Sequence, residues 1–341
     1  MIITVTPNPG IDRTLELDRL VRGAVNRVSG GRVDPGGKGI NVSRALLGHG
    51  IVTAAVAPLG GADGTRLAGL LADGGIEVRA VAIGGPTRTN VTITEPAGTT
   101  TKINEPGPCL TAGEVRALRR AVLDTAGPRD WVVCCGSLPR GVDPGFFAAL
   151  AAPLHERGAR VVLDTSGPAL RAAVAPASPG QGCLPDLVKP NHEELSEAVA
   201  RPLPTLGDVV TAARELHERG IETVLASLGP EGAVLVDGAG AVHAEARVER
   251  PRSTVGAGDA LLAGYLSVAA RGPAGTAPAS PAASPPDAAT AREALVAAVA
   301  WGAAATGLPG SRMPGPNDVA AVTVAVHDRC DPQRRLGGAT E

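Results

Sequence analysis

Aromatic side chains are almost missing from this sequence: Trp131, Phe146, Phe147, Tyr265 and Trp301 are the whole set in 341 residues. Ring platforms for stacking single-stranded nucleic acid are therefore scarcely available, and the core has to be built from Val, Leu, Ile and Ala. Lysine is scarcer still. Of 32 basic residues only Lys38, Lys102 and Lys189 are lysines, and the other 29 are arginines. Where a chain uses Arg almost everywhere, a retained Lys points to a place that needs a compact, rotatable charge rather than a planar fork. A net charge of −2 offers no broad basic surface to nucleic acid or to an anionic membrane, so any anionic ligand has to be met locally.

The five cysteines, Cys109, Cys134, Cys135, Cys183 and Cys330, are an odd set without a CxxC pair, which argues for reduced thiols rather than a chelate or a staple. HEEL at 192–195 lacks the second His of a zinc-binding HExxH, and the other histidines have no ligand spacing. The first ten residues, MIITVTPNPG, lack the basic stretch and apolar run of a secretory signal. The most apolar late segment, 294–308, is too short and Ala-rich to span a bilayer. The expectation is a cytoplasmic protein with neither membrane nor nucleic acid as partner.

What the chain does have is rhythm. Short β-branched runs (VTAAVA at 52–57, WVVCCGS at 131–137, RVVLDTS at 160–166, DLVKPN at 186–191, TVLASLG at 223–229) alternate with helix-length stretches such as RLAGLLADGG at 66–75, FFAALAAPLHERG at 146–158 and TAARELHERG at 211–220. Alternation of this kind means βαβ units and an α/β fold: a Rossmann-like, mainly parallel sheet covered by helices on both faces. Residues 12–34 and 88–105 break the rhythm and read as antiparallel strands with turns, one of them at Ala97-Gly98. A small β-sheet placed outside the carboxyl ends of the main strands would act as a lid. One domain over 1–330 is expected. A flexible Pro/Ala-rich insertion is expected at 272–290, and a loose tail at 331–341.

Three motifs carry chemistry. In STVGAGDALLAG at 253–264, small residues open a helix, so that backbone N–H groups and the helix dipole face one point, with Asp259 beside them as a proton acceptor. A Gly-rich turn with an ordinary first-turn Asp is the lesser alternative. In PGGKGINVSRAL at 35–46, Gly37, Lys38 and Asn41 combine close backbone approach, a cation and an amide at a helix start. It is no Walker A loop, because Gly39 follows the lysine, and a plain turn remains open. In VKPNHEEL at 188–195, Lys189 and Asn191 follow a strand, and Asn191 with Glu194 is also an ordinary capping box.

Taken in order with GGPTRTNVTITE at 84–95, CCGSLPRG at 134–141, LDTSGPAL at 163–170 and ASLGPEGAVLV at 226–236, these segments resemble the ribokinase-like (PfkB) family of sugar kinases and, within it, the bacterial 1-phosphofructokinase group. The resemblance covers the chain apart from 272–290 and the tail. It implies ATP as phosphoryl donor with Mg²⁺, a β lid that often contributes to a homodimer, and phosphoryl transfer to the 6-hydroxyl of fructose 1-phosphate. It also implies roles for residues: Asp259 as base, with the amides of Gly256, Ala257 and Gly258 as anion hole; Asp12, Gly37 and Asn41 on sugar hydroxyls; Arg88 and Lys38 on the sugar's phosphate, with Ser137 and Lys102 nearby. On the donor side it implies Ser227, Gly229 and Gly232 at adenosine, Lys189 and Asn191 at the triphosphate, and Glu194 ordering Mg²⁺ through water. Tagatose 6-phosphate or fructose 6-phosphate is the alternative acceptor. A catalytically silent sugar-phosphate or nucleotide-binding protein is the alternative of a different class.

Overall fold

The computed structural model describes residues 1–96, 99–176, 183–271 and 287–337. Among the described residues fourteen strands divide between two sheets. Strands β1 (Ile2–Val5), β4 (Thr53–Leu59), β5 (Glu77–Ala82), β8 (Trp131–Cys135), β9 (Arg160–Asp164), β10 (Leu187–Val188) and β11 (Thr223–Ser227) form the parallel body of the larger one, in the order β11-β10-β9-β8-β1-β4-β5. Strands β12 (Ala233–Asp237), β13 (Gly240–Ala246) and β14 (Val324–His327) extend it antiparallel beyond β11. The smaller sheet, in the order β3-β2-β6-β7, contains β2 (Gly10–Glu16), β3 (Gly30–Gly36), β6 (Arg88–Thr94) and β7 (Thr100–Ile103). Its strands fall in the two stretches that break the α/β rhythm. Its pairing differs from expectation: β2–β3 and β6–β7 are antiparallel, but they meet along a parallel seam between β2 and β6.

The β-branched runs alternate across the large sheet as the pleat demands. On β8, Val132 and Cys134 enter one buried cluster, while Trp131, Val133 and Cys135 enter the other. The first face is covered by α3 (Ala112–Thr125), α4 (Ala148–His155), α5 (Gly167–Val174), α6 (His192–Val199) and α7 (Leu206–Glu218). The opposite face is covered by α1 (Lys38–Gly48), α8 (Ala257–Ala269) and α9 (Ala288–Thr306). Between the sheets, α2 (Gly61–Asp73) packs Leu67 and Leu71 against Ile11 and Ile40, and α10 (Pro316–Ala320) follows α9. Thr111, Asn191 and Thr205 start α3, α6 and α7 with reciprocal capping boxes. All five cysteines are free. Among the described residues no helix is long and apolar enough to cross a membrane.

Two boundaries differ from expectation. The insertion read at 272–290 lies outside the described residues as far as 286. Beyond it α9 is already helical from Ala288, with the Asp287 side chain accepting from Thr290 N at 2.8 Å. The tail is tied down as far as 337. Leu206 N donates to Arg334 O at 2.9 Å, Leu336 N donates to Pro204 O at 3.1 Å, and the Arg334 guanidinium pairs with Glu231 and Glu245. Contacts made by backbone and ion pairs leave no hydrophobic period to read.

Helix α8 is buried along almost its whole length because α9 lies against it. At their contact a Cβ on Gly264 would come within 2.6 Å of Ala297 O and 2.9 Å of the Trp301 ring. Gly264→Ala is therefore expected to lower the midpoint of denaturant unfolding by the equivalent of about 1–3 kcal/mol, against the small gain that Ala normally brings to a helix interior. An unchanged midpoint would show that the two helices part at little cost.

Candidate active site

Parallel strands all end at the same edge of a sheet, and here β8, β9, β10 and β11 deliver Ser137, Asp164, Lys189 and Ser227 to it. Asp164 is the last residue of β9 and has no exposed surface. Lys38 Nζ, from the first residue of α1, lies 2.7 Å from one of its oxygens, and Lys189 Nζ lies 3.4 Å from the other. Burial alone would push the Asp164 carboxyl up, but Lys189 and Lys38 more than offset it and hold the group below its ordinary range. The reciprocal effect holds Lys38 charged: burial would lower it, whereas Asp164, Asp259 and Glu194 raise it well above the usual lysine value.

Gly256 adopts a left-handed backbone, φ 78°, and turns the chain into α8. The first-turn amides that follow have no intrahelical acceptor, and the positive end of the dipole points the same way. Asp259, in that first turn, is buried, and Asn41 Nδ2 donates to its Oδ2 at 2.8 Å. Burial and then the Asp164 charge raise Asp259, against Lys38, Asn41 and Lys189, to a pKa of about 6. A side chain on Gly258 would start 3.5 Å from Lys189 Nζ, so the glycine keeps the space between that ammonium and the helix end open. Glu194 completes this group. One of its oxygens closes the α6 capping box on Asn191 N at 2.8 Å, and the other lies 3.9 Å from Lys38 Nζ.

A second group hangs from the smaller sheet. Asn90 Nδ2 donates to Asp12 Oδ1 across the β2–β6 seam at 3.0 Å, and burial raises the Asp12 carboxyl in spite of Asn90 and Arg88. A Cβ on Gly36 would run into that carboxylate. Gly37, φ 123°, then leads into α1. The Arg88 guanidinium donates to Glu105 O at 3.0 Å and Asn8 O at 2.9 Å, and Asn8 in turn donates to Ser137 Oγ at 3.3 Å. Arg88 Nε, Asn8 Oδ1 and Asn90 Oδ1 are buried without hydrogen-bond partners among the described residues, which leaves donor and acceptor capacity along this wall.

The third group adjoins Asn191. Ser227 N donates to Pro190 O at 3.0 Å, and the turn after β11 uses Gly229 (φ 59°) and Gly232 (φ 81°), the latter packed against Ala244 O where no Cβ fits.

The structure thus brings Asp259, Asn41, Lys38, Lys189 and Glu194 into one constellation, with Arg88, Asp12 and Ser137 on an adjoining wall. The charges that act on Lys38 are Asp164, Asp259 and Glu194, whereas those on Arg88 are Asp12 and Glu105. Lys102 is exposed on β7 opposite Thr92, on the face that carries Asn90 but two residues further along. Sequence reasoning missed Asp164, Asn8 and Asn90. For Asp164 a signal was present: a lone carboxylate ends an apolar strand run.

Residues 7–317 match the model of the pfkB family carbohydrate kinases. A 1-phosphofructokinase from Rhodobacter capsulatus is 40% identical over 275 residues, 80% of this chain and 84% of that protein. Another from Haemophilus influenzae is 37% identical over 266 residues, 78% and 83% of the two chains. Among solved structures, phosphofructokinase-2 from Escherichia coli in complex with fructose-6-phosphate superposes with a TM-score of 0.80 at 32% identity, covering 94% of this chain and 96% of that one. The chain belongs to the pfkB family of carbohydrate kinases.

Proposed function

We propose that this chain transfers the γ-phosphoryl group of ATP to the 6-hydroxyl of D-fructose 1-phosphate, giving fructose 1,6-bisphosphate and ADP. The observation that carries the chemistry is Asp259: a buried carboxylate with a pKa of about 6 in the first turn of α8, beside two lysines. Such a group is ionised at neutral pH and basic enough to take a hydroxyl proton. As the O6–Pγ bond forms and the bond from Pγ to ADP breaks, Asp259 accepts that proton. In this reading the amides of Gly256, Ala257 and Gly258 form the anion hole, the Ala257 N–H also lying 3.3 Å from Thr254 O. A loose transition state asks for positioning and charge neutralisation rather than covalent help.

Asp12, Gly37 and Asn41 hold the sugar hydroxyls in this reading. Arg88 takes the phosphate already on the sugar, its unpaired Nε being the free donor, with Ser137 beside it and Lys102 at the rim. Lys38 joins Lys189 and Asn191 nearer the triphosphate, and Ser227, Gly229 and Gly232 form the adenosine side. Mg²⁺ when bound neutralises phosphate oxygens. Among the described residues no three acidic, His or Cys side chains converge as a metal cage. Glu194 would supply its carboxylate, through water, to a cation held mainly by the nucleotide. The exposed edge strands β3 and β7 and the exposed Val25, Val28 and Ile103 favour a homodimer through the smaller sheet. A cytoplasmic location accords with this reading.

The acceptor is inferred from relatives named 1-phosphofructokinase, while a structural neighbour holds fructose-6-phosphate; the second reading is a kinase for fructose 6-phosphate or tagatose 6-phosphate. ADP release measured with Mg-ATP and each acceptor separates them. A preference of about a hundredfold in kcat/KM for fructose 1-phosphate, close to 3 kcal/mol of transition-state discrimination, is expected, and preference for a 6-phosphate would move the substrate. Asp259→Asn should keep ATP affinity and lose most of kcat; near-normal turnover would reject Asp259 as base. Since the carboxylate is the active form, kcat/KM should fall as pH drops through about 6 and level off above it. Arg88→Ala should raise KM for the sugar phosphate with a smaller change in kcat, and an unchanged KM would place the phosphate elsewhere.

A further inference from the structure

Arg44 contacts three parts of the molecule at once, and one of them is Asn41 of the constellation already described. It lies one turn along α1 from Asn41, with 18% of its side chain exposed. Its Nη1 donates to Asn41 Oδ1 at 3.2 Å, to Pro35 O at 3.3 Å and to Ser311 O at 3.3 Å, while Nη2 donates to Asp34 Oδ1 at 3.4 Å. Asp34 belongs to β3 of the smaller sheet, where Arg32 also pairs with it at 2.9 Å and donates to Pro309 O at 2.9 Å. The 309–314 segment reached by both arginines passes over the start of α8: a Cβ on Gly256 would meet Met313 Cε at 2.6 Å, and the Pro314 carbonyl lies 3.0 Å from His49 Nε2.

The Asn41 side chain is the link to chemistry. A guanidinium can only donate and an ionised carboxylate can only accept. An amide placed between Arg44 and Asp259 therefore has one orientation, with Oδ1 toward the arginine and Nδ2 toward the base. Without Arg44 the amide loses the donor that holds its oxygen, and can rotate its NH₂ away from Asp259 toward the vacated carbonyls of Pro35 and Ser311.

We infer that Arg44 is a positioning residue for the reaction: through the Asn41 amide it fixes the hydrogen bond that orients Asp259, and it ties that bond to β3 and to the 309–314 segment over the start of α8. This inference rests on Asp259 being the base.

The test is a pair of variants, Arg44→Met and the milder Arg44→Lys, with kcat and kcat/KM measured against pH and thermal unfolding recorded alongside. Because the Asn41 donor lowers the Asp259 pKa, its loss moves the acid limb of both profiles to higher pH, by about half to one unit, with kcat reduced about tenfold or more at neutral pH. Arg44→Lys, which keeps the charge and loses the fork, shifts the limb less and in the same direction, and is read alone if the methionine variant does not fold. On an Asn41→Ala background Arg44→Met should add little further loss of kcat. A folded variant whose acid limb stays in place, or full additivity with Asn41→Ala, overturns the inference and leaves Arg44 a structural residue. Near-normal turnover of Asp259→Asn would instead reject the base assignment itself, so the two failures are distinguishable.

Discussion

Asp164 carries its charge where water cannot reach it, and the arrangement around it follows from the need to keep that charge matched. An isolated carboxylate in such a place would neutralise itself. Two ammonium groups on its two oxygens keep it ionised instead. Held this way, Lys189 lies beside the α8 N-terminus and Lys38 stays charged near it. The uncompensated share of the Asp164 charge contributes to raising Asp259. One buried charge thus acts on two cations and on the carboxylate proposed as the base. Compact ammonium groups serve here better than guanidinium forks, because two of them approach a single carboxylate.

Topology explains why these groups meet. Lys38, Asp164, Lys189 and Asp259 are scattered over more than two hundred residues of sequence. A parallel sheet with helical crossovers returns every strand to the same edge, so residues at successive strand ends become neighbours. Helices α1 and α8 share one face of that sheet and bring Asn41 and Asp259 within hydrogen-bonding distance of each other. The smaller sheet supplies what the main domain lacks: a wall of polar side chains with spare bonding capacity, reached directly from β1 through Asn8 and Gly10.

That wall and the catalytic edge are not independent bodies. Gly36 and Gly37 carry the chain from β3 straight into α1, and the Arg32–Asp34–Arg44 group holds the same junction from the side. A shift of the smaller sheet is therefore felt at the first turns of α1, where Lys38 and Asn41 reside. In the proposed reaction, sugar binding and placement of the base would then be one mechanical problem.

Much of this was legible in the residues. The alternation of β-branched and amphipathic runs determines an α/β sheet by periodicity alone, and the glycines around Asp259 and Lys38 mark backbone that must approach something closely. What the sequence could not disclose is partnership. Asp164 reads as the end of a strand until the fold places two lysines on it, and Arg44 reads as one helix arginine among many until Asn41 is seen between it and Asp259. Lys38 reads as a cation at a helix start until the fold sets it against Asp164, and the order in the 331–336 segment comes from backbone bonds and ion pairs that leave no pattern in composition. Local propensity is written in neighbouring residues, whereas the charge state of a buried group depends on side chains far apart in the chain that only packing brings together.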